Sequence, residues 1–198
     1  LDLIFGWQVG ARVDDRFGTA IGRILGCHPG PGALACAIEI IRSRWMPARL
    51  ANLSIRQLLT LYSSLPPVAA EQRSGLWCAH FVGPWWLRIS AAPGIALGGM
   101  PGWLGKRFDA PHAAVNLLRT DAGMREVLPM QCTEQPSWYD AQPCAAVAYG
   151  AKARMPWRWE RDELRQVDEN LWLCLTFINL PLLRRLPFPF VLVRDAKA

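Results

Sequence analysis

The sequence predicts a mainly β chain: an antiparallel β-barrel behind a helical N-terminal segment. Three observations carry that expectation. The spacing of apolar residues changes from a helical period to strict alternation near Gly75. About nine short alternating runs then fill roughly 120 residues with no long helix between them, the pattern of a barrel or sandwich rather than a parallel sheet. Turn residues punctuate the runs, as at Asp121-Ala122-Gly123 and Asp168-Glu169-Asn170. The expected division is 1–66 helical and 67–198 barrel.

In order along the chain, Gly18, Gly22 and Gly26 lie at four-residue spacing within a first helical stretch, 16–26. Asp14, Asp15, Arg16 and Arg23 in the same region argue against a membrane span, and the lack of a preceding strand argues against a phosphate loop. Cys27-His28-Pro29-Gly30-Pro31-Gly32 reads as a loop, and a second helix is expected over 33–45. A third begins at Ser54, where Ser-x-x-Gln to Gln57 forms a capping box. Ile55, Leu58, Leu59 and Tyr62 mark its apolar face, and Pro66-Pro67 ends it.

The strands are expected at 75–82, 85–89, 103–108, 114–119, 124–130, 144–149, 163–167, 171–178 and 188–194. The first alternates Leu76, Cys78, His80 and Val82 with Trp77, Ala79 and Phe81.

Composition narrows the function classes. At 198 residues, 52% apolar and 19% charged, the chain can bury a core without staples and does not read as disordered. Its ten Trp and seven Phe suit a thick core or an aromatic-lined cavity. The net charge of +6 comes from scattered residues, with three Lys among 22 basic ones, so no nucleic-acid footprint stands out. Six cysteines show neither C-x-x-C nor finger spacing, which predicts no structural metal and thiols in a reducing compartment; the expected location is cytoplasmic. The longest apolar run, 33–41, is interrupted by Glu39 and is too short for a transmembrane segment. Leu1 in place of an initiator Met points to a removed upstream piece.

Three blocks bear a family likeness. Leu65-Pro66-Pro67-Val68, Gly75-Leu76-Trp77 and Gly102-Trp103-Leu104-Gly105-Lys106-Arg107-Phe108 resemble the bacterial GXWXG-type proteins, whose biochemistry is not settled. The C-terminal runs 164–170 and 188–194 extend the likeness over about residues 58–195. Trp103-x-Gly105-Lys106-x-Phe108 is its most specific element. Ala79 stands in place of the second Gly, Gly150 in place of an Asp, and 151–161 reads as an insertion. Gly75-x-Trp77 also resembles the opening of lipocalin-like barrels. That likeness implies Trp77 closing one barrel end with Arg194 across its ring, a cation–π contact worth about 0.5–2 kcal/mol.

Candidate chemistry is sparse. His80 reads either as a hydrogen-bonded core or pocket histidine or as a base near neutral pH. Lys106 reads either as an exposed strand lysine or as a buried amine able to move protons. In a regular strand, Trp103 and Lys106 would face opposite ways; only a bulge would put both on one cavity wall. Trp157, Arg158 and Trp159 form an aromatic and basic run suited to a lid or stacking platform. Asp140, Asp162 and Asp168 read as surface and turn carboxylates. Trp77, Trp103 and Arg194 are expected to be structural. No cofactor motif is present.

The leading expectation is therefore a barrel that binds a small, largely apolar molecule, with His80, Trp157, Arg158 and Trp159 in its pocket. A cofactor-free isomerase or cyclase using His80 or Lys106 is the second reading. An interaction module docking a protein partner through the N-terminal helices is the third.

Overall fold

A computed structural model describes residues 49–195. The expected helices at 16–26 and 33–45 lie outside the described residues.

Eight antiparallel strands close into a barrel, each paired with its neighbours in sequence and the last with the first. They are β1 (Gly75–Phe81), β2 (Trp103–Ala110), β3 (Ala113–Thr120), β4 (Gly123–Pro136), β5 (Pro143–Tyr149), β6 (Glu160–Asp168), β7 (Leu171–Ile178) and β8 (Phe188–Arg194). Closure leaves no sheet edge exposed. Alternation then sorts every strand into two sets. On β7, Trp172 and Cys174 enter the barrel core beside Phe108, Leu164 and Leu192. Leu171, Leu173, Leu175 and Phe177 of the same strand face outward and form a second core with Val191 and Val193.

The outer core exists because helix α1 (Ile55–Ser64) covers that wall. Its capping box is formed: Gln57 N–H donates to Ser54 Oγ at 3.3 Å, and Ser54 N–H donates to Gln57 Oε1 at 2.9 Å. Leu58 and Tyr62, one turn apart, are fully buried against β7 and β8. The chain leaves α1 along β6, where Gln166 N–H donates to Pro66 O at 2.9 Å.

The expected strand at 85–89 is instead the start of helix α2, Trp85–Leu97. Gly83 turns the chain at φ +99° after β1, and Pro84 caps the helix, where its missing N–H costs nothing. Trp85-Trp86-Leu87-Arg88-Ile89 is short enough to fit either period. Leu87, Ala91 and Ile95, at four-residue spacing, decide it by landing on one face over the barrel mouth. Eight strands result, not nine.

The two barrel ends differ. At one end Trp77 and Trp172 stack with ring centroids 3.5 Å apart, and Phe108 meets Trp172 edge-on at 5.4 Å. Arg194 lies over Trp77 at 4.5 Å and donates to the carbonyls of Ser74 and Gln72. That end is plugged. At the other end, α2 and the β5–β6 loop overhang a cavity.

Candidate functional site: a half-covered barrel cavity with a carboxylate floor

The cavity has a volume of about 310 Å³, at the small end of ligand pockets, which run from roughly 300 to 1,000 Å³. Its walls are apolar: Phe81, Leu87, Ile95, Met100, Trp157 and Phe190. Its polar side is built by Asn116, Glu160, Asp162 and Thr176.

A bulge on β2 sets a cation against that polar side. Trp103 pairs with Leu118 and Gly105 with Leu117, so Leu104 is an extra residue on β2. The two-residue alternation slips by one there, and Trp103 and Lys106 arrive on the same inner wall. Gly105 permits this with φ +150°; a Cβ at this position would stand 2.0 Å from Trp77 O. The Trp-x-Gly-Lys-x-Phe block thus has a physical reading. Trp103 lines the cavity, Gly105 lets β2 press on β1, Lys106 turns inward, and Phe108 packs on Trp172.

Lys106 is wholly buried. Its Nζ reaches Asp162 Oδ2 at 2.8 Å, Asn116 Oδ1 at 3.2 Å and Met130 Sδ at 3.5 Å, which uses all three donors. Asn116 Oδ1 also accepts from Trp103 Nε1 at 2.9 Å, and its Nδ2 donates to Tyr149 Oη at 2.7 Å. Thr176 Oγ1 donates to the other Asp162 oxygen at 2.5 Å. The ion pair is internally satisfied.

Glu160 is not. It lies two residues before Asp162 on β6, hence on the same inner face, and lines the cavity. Among the described residues, none donates a hydrogen bond to its carboxyl. Burial, then the neighbouring Asp162 charge, push its pKa up to about 8 against a smaller opposing pull from Lys106. A raised pKa favours the protonated carboxyl, the form in which Glu160 can donate a hydrogen bond into the cavity.

The structure redistributes the sequence candidates. His80 lies on the outer wall and is exposed, not in the pocket; β1 sends Trp77, Ala79 and Phe81 inward and His80 the other way. Partial desolvation lowers its pKa, and no charged group contributes. Lys106 is the buried amine, not an exposed strand lysine. Trp157 lines the cavity and anchors the β5–β6 loop to α2, donating from Nε1 to Gly98 O at 2.7 Å. Arg158 and Trp159 do not line it; Arg158 is exposed and rests 5.6 Å from the Trp159 ring. A 3-10 turn at Trp157–Trp159 replaces the extended run that would have aligned both indoles. Trp103, expected to be structural, is a cavity wall residue as well.

Asp162, read as a surface or turn carboxylate, is buried, and Asp140 holds the buried Arg165 at 2.7 and 2.8 Å. Glu160 escapes the sequence reading because the strand expected at 163–167 in fact begins at Glu160, whereas Asn116 and Thr176 lie on expected strands whose alternation alone does not mark which face lines a cavity. Starting β6 at 160 would have aligned Glu160, Asp162 and Leu164 on the inner face. Among the described residues, no group of three or more His, Cys, Asp or Glu side chains is placed to hold a metal.

No protein-family model matches the chain, and no protein of curated function aligns with it. A crystal structure of a protein from Thermomonospora curvata matches with a TM-score of 0.60 and 21% identity, over 78% of this chain and 96% of that one. That likeness is one of fold.

Proposed function

We propose that the barrel binds a small, largely apolar molecule that presents one hydrogen-bond acceptor, such as a carbonyl, to Glu160. The observation that carries this reading is an apolar cavity of about 310 Å³ with a single otherwise unpartnered carboxyl in its polar side. Once a ligand displaces water from the half-buried Glu160, a donor left without an acceptor costs about 1–3 kcal/mol, so a ligand oxygen that fills the role gains selectivity over a plain hydrocarbon. Reading the barrel as lipocalin-like, and the chain as resembling the GXWXG-type proteins, accords with this proposal. A cytoplasmic site is in keeping with Cys78, Cys132, Cys144 and Cys174, all unpaired thiols.

The test uses the full chain, purified gently and examined by native mass spectrometry, followed by titration with decan-2-one, decane and decylamine read by tryptophan fluorescence. The reading expects saturable quenching by the ketone, weaker quenching by the alkane and amine, and loss of all three in Ala91→Trp, which fills the cavity. Absence of any saturable probe, with no co-purified small molecule, would sink it.

A second reading has one specific observation behind it. A carboxyl poised near pKa 8 inside an apolar cavity suits proton transfer, so Glu160 would replace His80 or Lys106 as the acid–base group of a cofactor-free isomerase or cyclase. Incorporation of solvent deuterium into a bound enolisable ketone would favour this reading over binding alone.

A further inference from the structure

Helix α2 is apolar all round. Leu87, Ala91 and Ile95 face the cavity, while Trp85, Ile89 and Leu97 on the other side are 67%, 64% and 91% exposed. Arg88 is its one charged residue. A helix with apolar residues on every face belongs in a core or against something apolar, not with one side in water.

The neighbouring β5–β6 loop supplies the charge. It is fastened to α2 by the Trp157–Gly98 hydrogen bond and shares the cavity rim through Pro156 and Trp157. It carries Lys152, Arg154 and Arg158 together with the exposed Met155, and there is no acidic residue in 150–159 or in 84–102. The β3–β4 hairpin at the same end adds Arg119 and Arg125 beside Asp121 and Glu126, the latter paired with Arg107. Turns at the plugged end carry Asp109, Asp168 and Glu169 instead. Strand topology therefore gathers exposed indoles and cations on α2 and the β5–β6 loop at the mouth, two segments free of carboxylates, while the turns at the far end carry acidic residues.

We infer that α2 and the β5–β6 loop form a docking face for an anionic phospholipid surface, with the barrel mouth toward the bilayer. Indole rings settle at the headgroup level, and the guanidinium and ammonium groups meet lipid phosphates. No helix among the described residues is long and apolar enough to cross a membrane, and the docking proposed here is a peripheral contact. The docking face stands without any occupant in the cavity. If the cavity reading also holds, the same contact lets an apolar ligand pass under α2 without crossing bulk water.

The experiment is co-sedimentation of the full chain with vesicles of phosphatidylcholine alone and of equal parts phosphatidylcholine and phosphatidylglycerol, at low and high salt. The wild type should sediment with the anionic vesicles, with a blue shift of tryptophan emission, and release at high salt. Trp85→Ser with Trp86→Ser, and separately Arg154→Glu with Arg158→Glu, should each lower partitioning by about tenfold or more. His112→Ser, in the exposed β2–β3 turn at the plugged end, should leave it unchanged; thermal melts confirm that all variants fold. Equal binding to neutral vesicles, no binding to anionic ones, or binding indifferent to both double variants would overturn the inference. So would a soluble dimer abolished by the tryptophan changes, which would make a second copy the occupant. None of these readouts involves a cavity ligand, so failure here leaves the ligand proposal standing.

Discussion

Lys106 and Asp162, 56 positions apart in the chain, meet at 2.8 Å inside the barrel because one extra residue at Leu104 turns the lysine inward. The pair is almost completely removed from solvent, and its other hydrogen-bonding capacity is taken by Asn116, Met130 and Thr176. Desolvation of two charges is offset only while both are present.

Lys106→Met or Asp162→Leu alone should therefore cost about 3–5 kcal/mol, since each strands an unpaired charge. The double variant should recover much of that loss, because two apolar side chains of similar size satisfy each other. Urea unfolding of the four proteins measures the coupling. Single variants that each cost under about 1 kcal/mol would show that the pair is not desolvated as described.

Gly105→Ala tests the bulge itself. The added methyl would fall 2.0 Å from Trp77 O, a backbone atom that cannot step aside without opening the β1–β2 pairing. A loss of about 3 kcal/mol or more is expected, at the upper end of overpacking costs. Gly94→Ala, whose Cβ meets nothing within 4 Å, is the matched control and should be neutral or slightly stabilising.

The barrel was legible because alternation is a backbone property: every second residue of β5 to β8 must change sides whatever surrounds it. The α1 capping box was legible for the same local reason. The cavity floor was not. Lys106 could be sorted from a surface lysine only by knowing that Leu104 bulges, and Asp162 looked like a turn residue until β6 was extended back to Glu160. Helix α2 was hidden because its outer face is as apolar as its inner one, which erases the polar side that marks a helix. His80 shows the converse: its alternation was read correctly, but the inner face of β1 belongs to Trp77 and Phe81.

Arg165 and Asp140 give the fold its expected acid sensitivity. Arg165 is fully buried, donates to Tyr62 O at 2.9 Å at the end of α1, and lies over the Tyr62 ring at 4.3 Å. Burial alone would raise the Asp140 pKa, but hydrogen bonds from Arg165 and Gln142 outweigh it and hold the carboxyl below its usual range. A depressed folded pKa means stability that is present above the unfolded value, near 3.9, and lost as pH falls through the lower folded one. Asp140→Asn should thus destabilise at neutral pH and flatten the stability curve below about pH 4. Urea midpoints collected on the acid side decide it; an unchanged slope in that range would remove Asp140 from the argument.

Glu160 has the opposite sign. Its folded pKa stands near 8, far above the ordinary glutamate value of 4.5, so between those limits the unfolded chain ionises while the folded one keeps its proton. Fewer protons are then bound by the unfolded state, and stability must fall as pH rises across that window. Glu160→Gln keeps the shape and a donor but cannot ionise. It should match the wild type near pH 4.5 and exceed its stability at about pH 8, with a flatter curve between. The same substitution separates two roles in the cavity. A ketone probe that needs only a donor should bind Glu160→Gln above pH 8 while the ionised wild type loses it. Solvent-deuterium exchange into that ketone, which needs a titrating carboxyl, should vanish at every pH. Identical pH–stability curves for the two proteins would mean that Glu160 is already ionised in water, and the proposed donor would be gone.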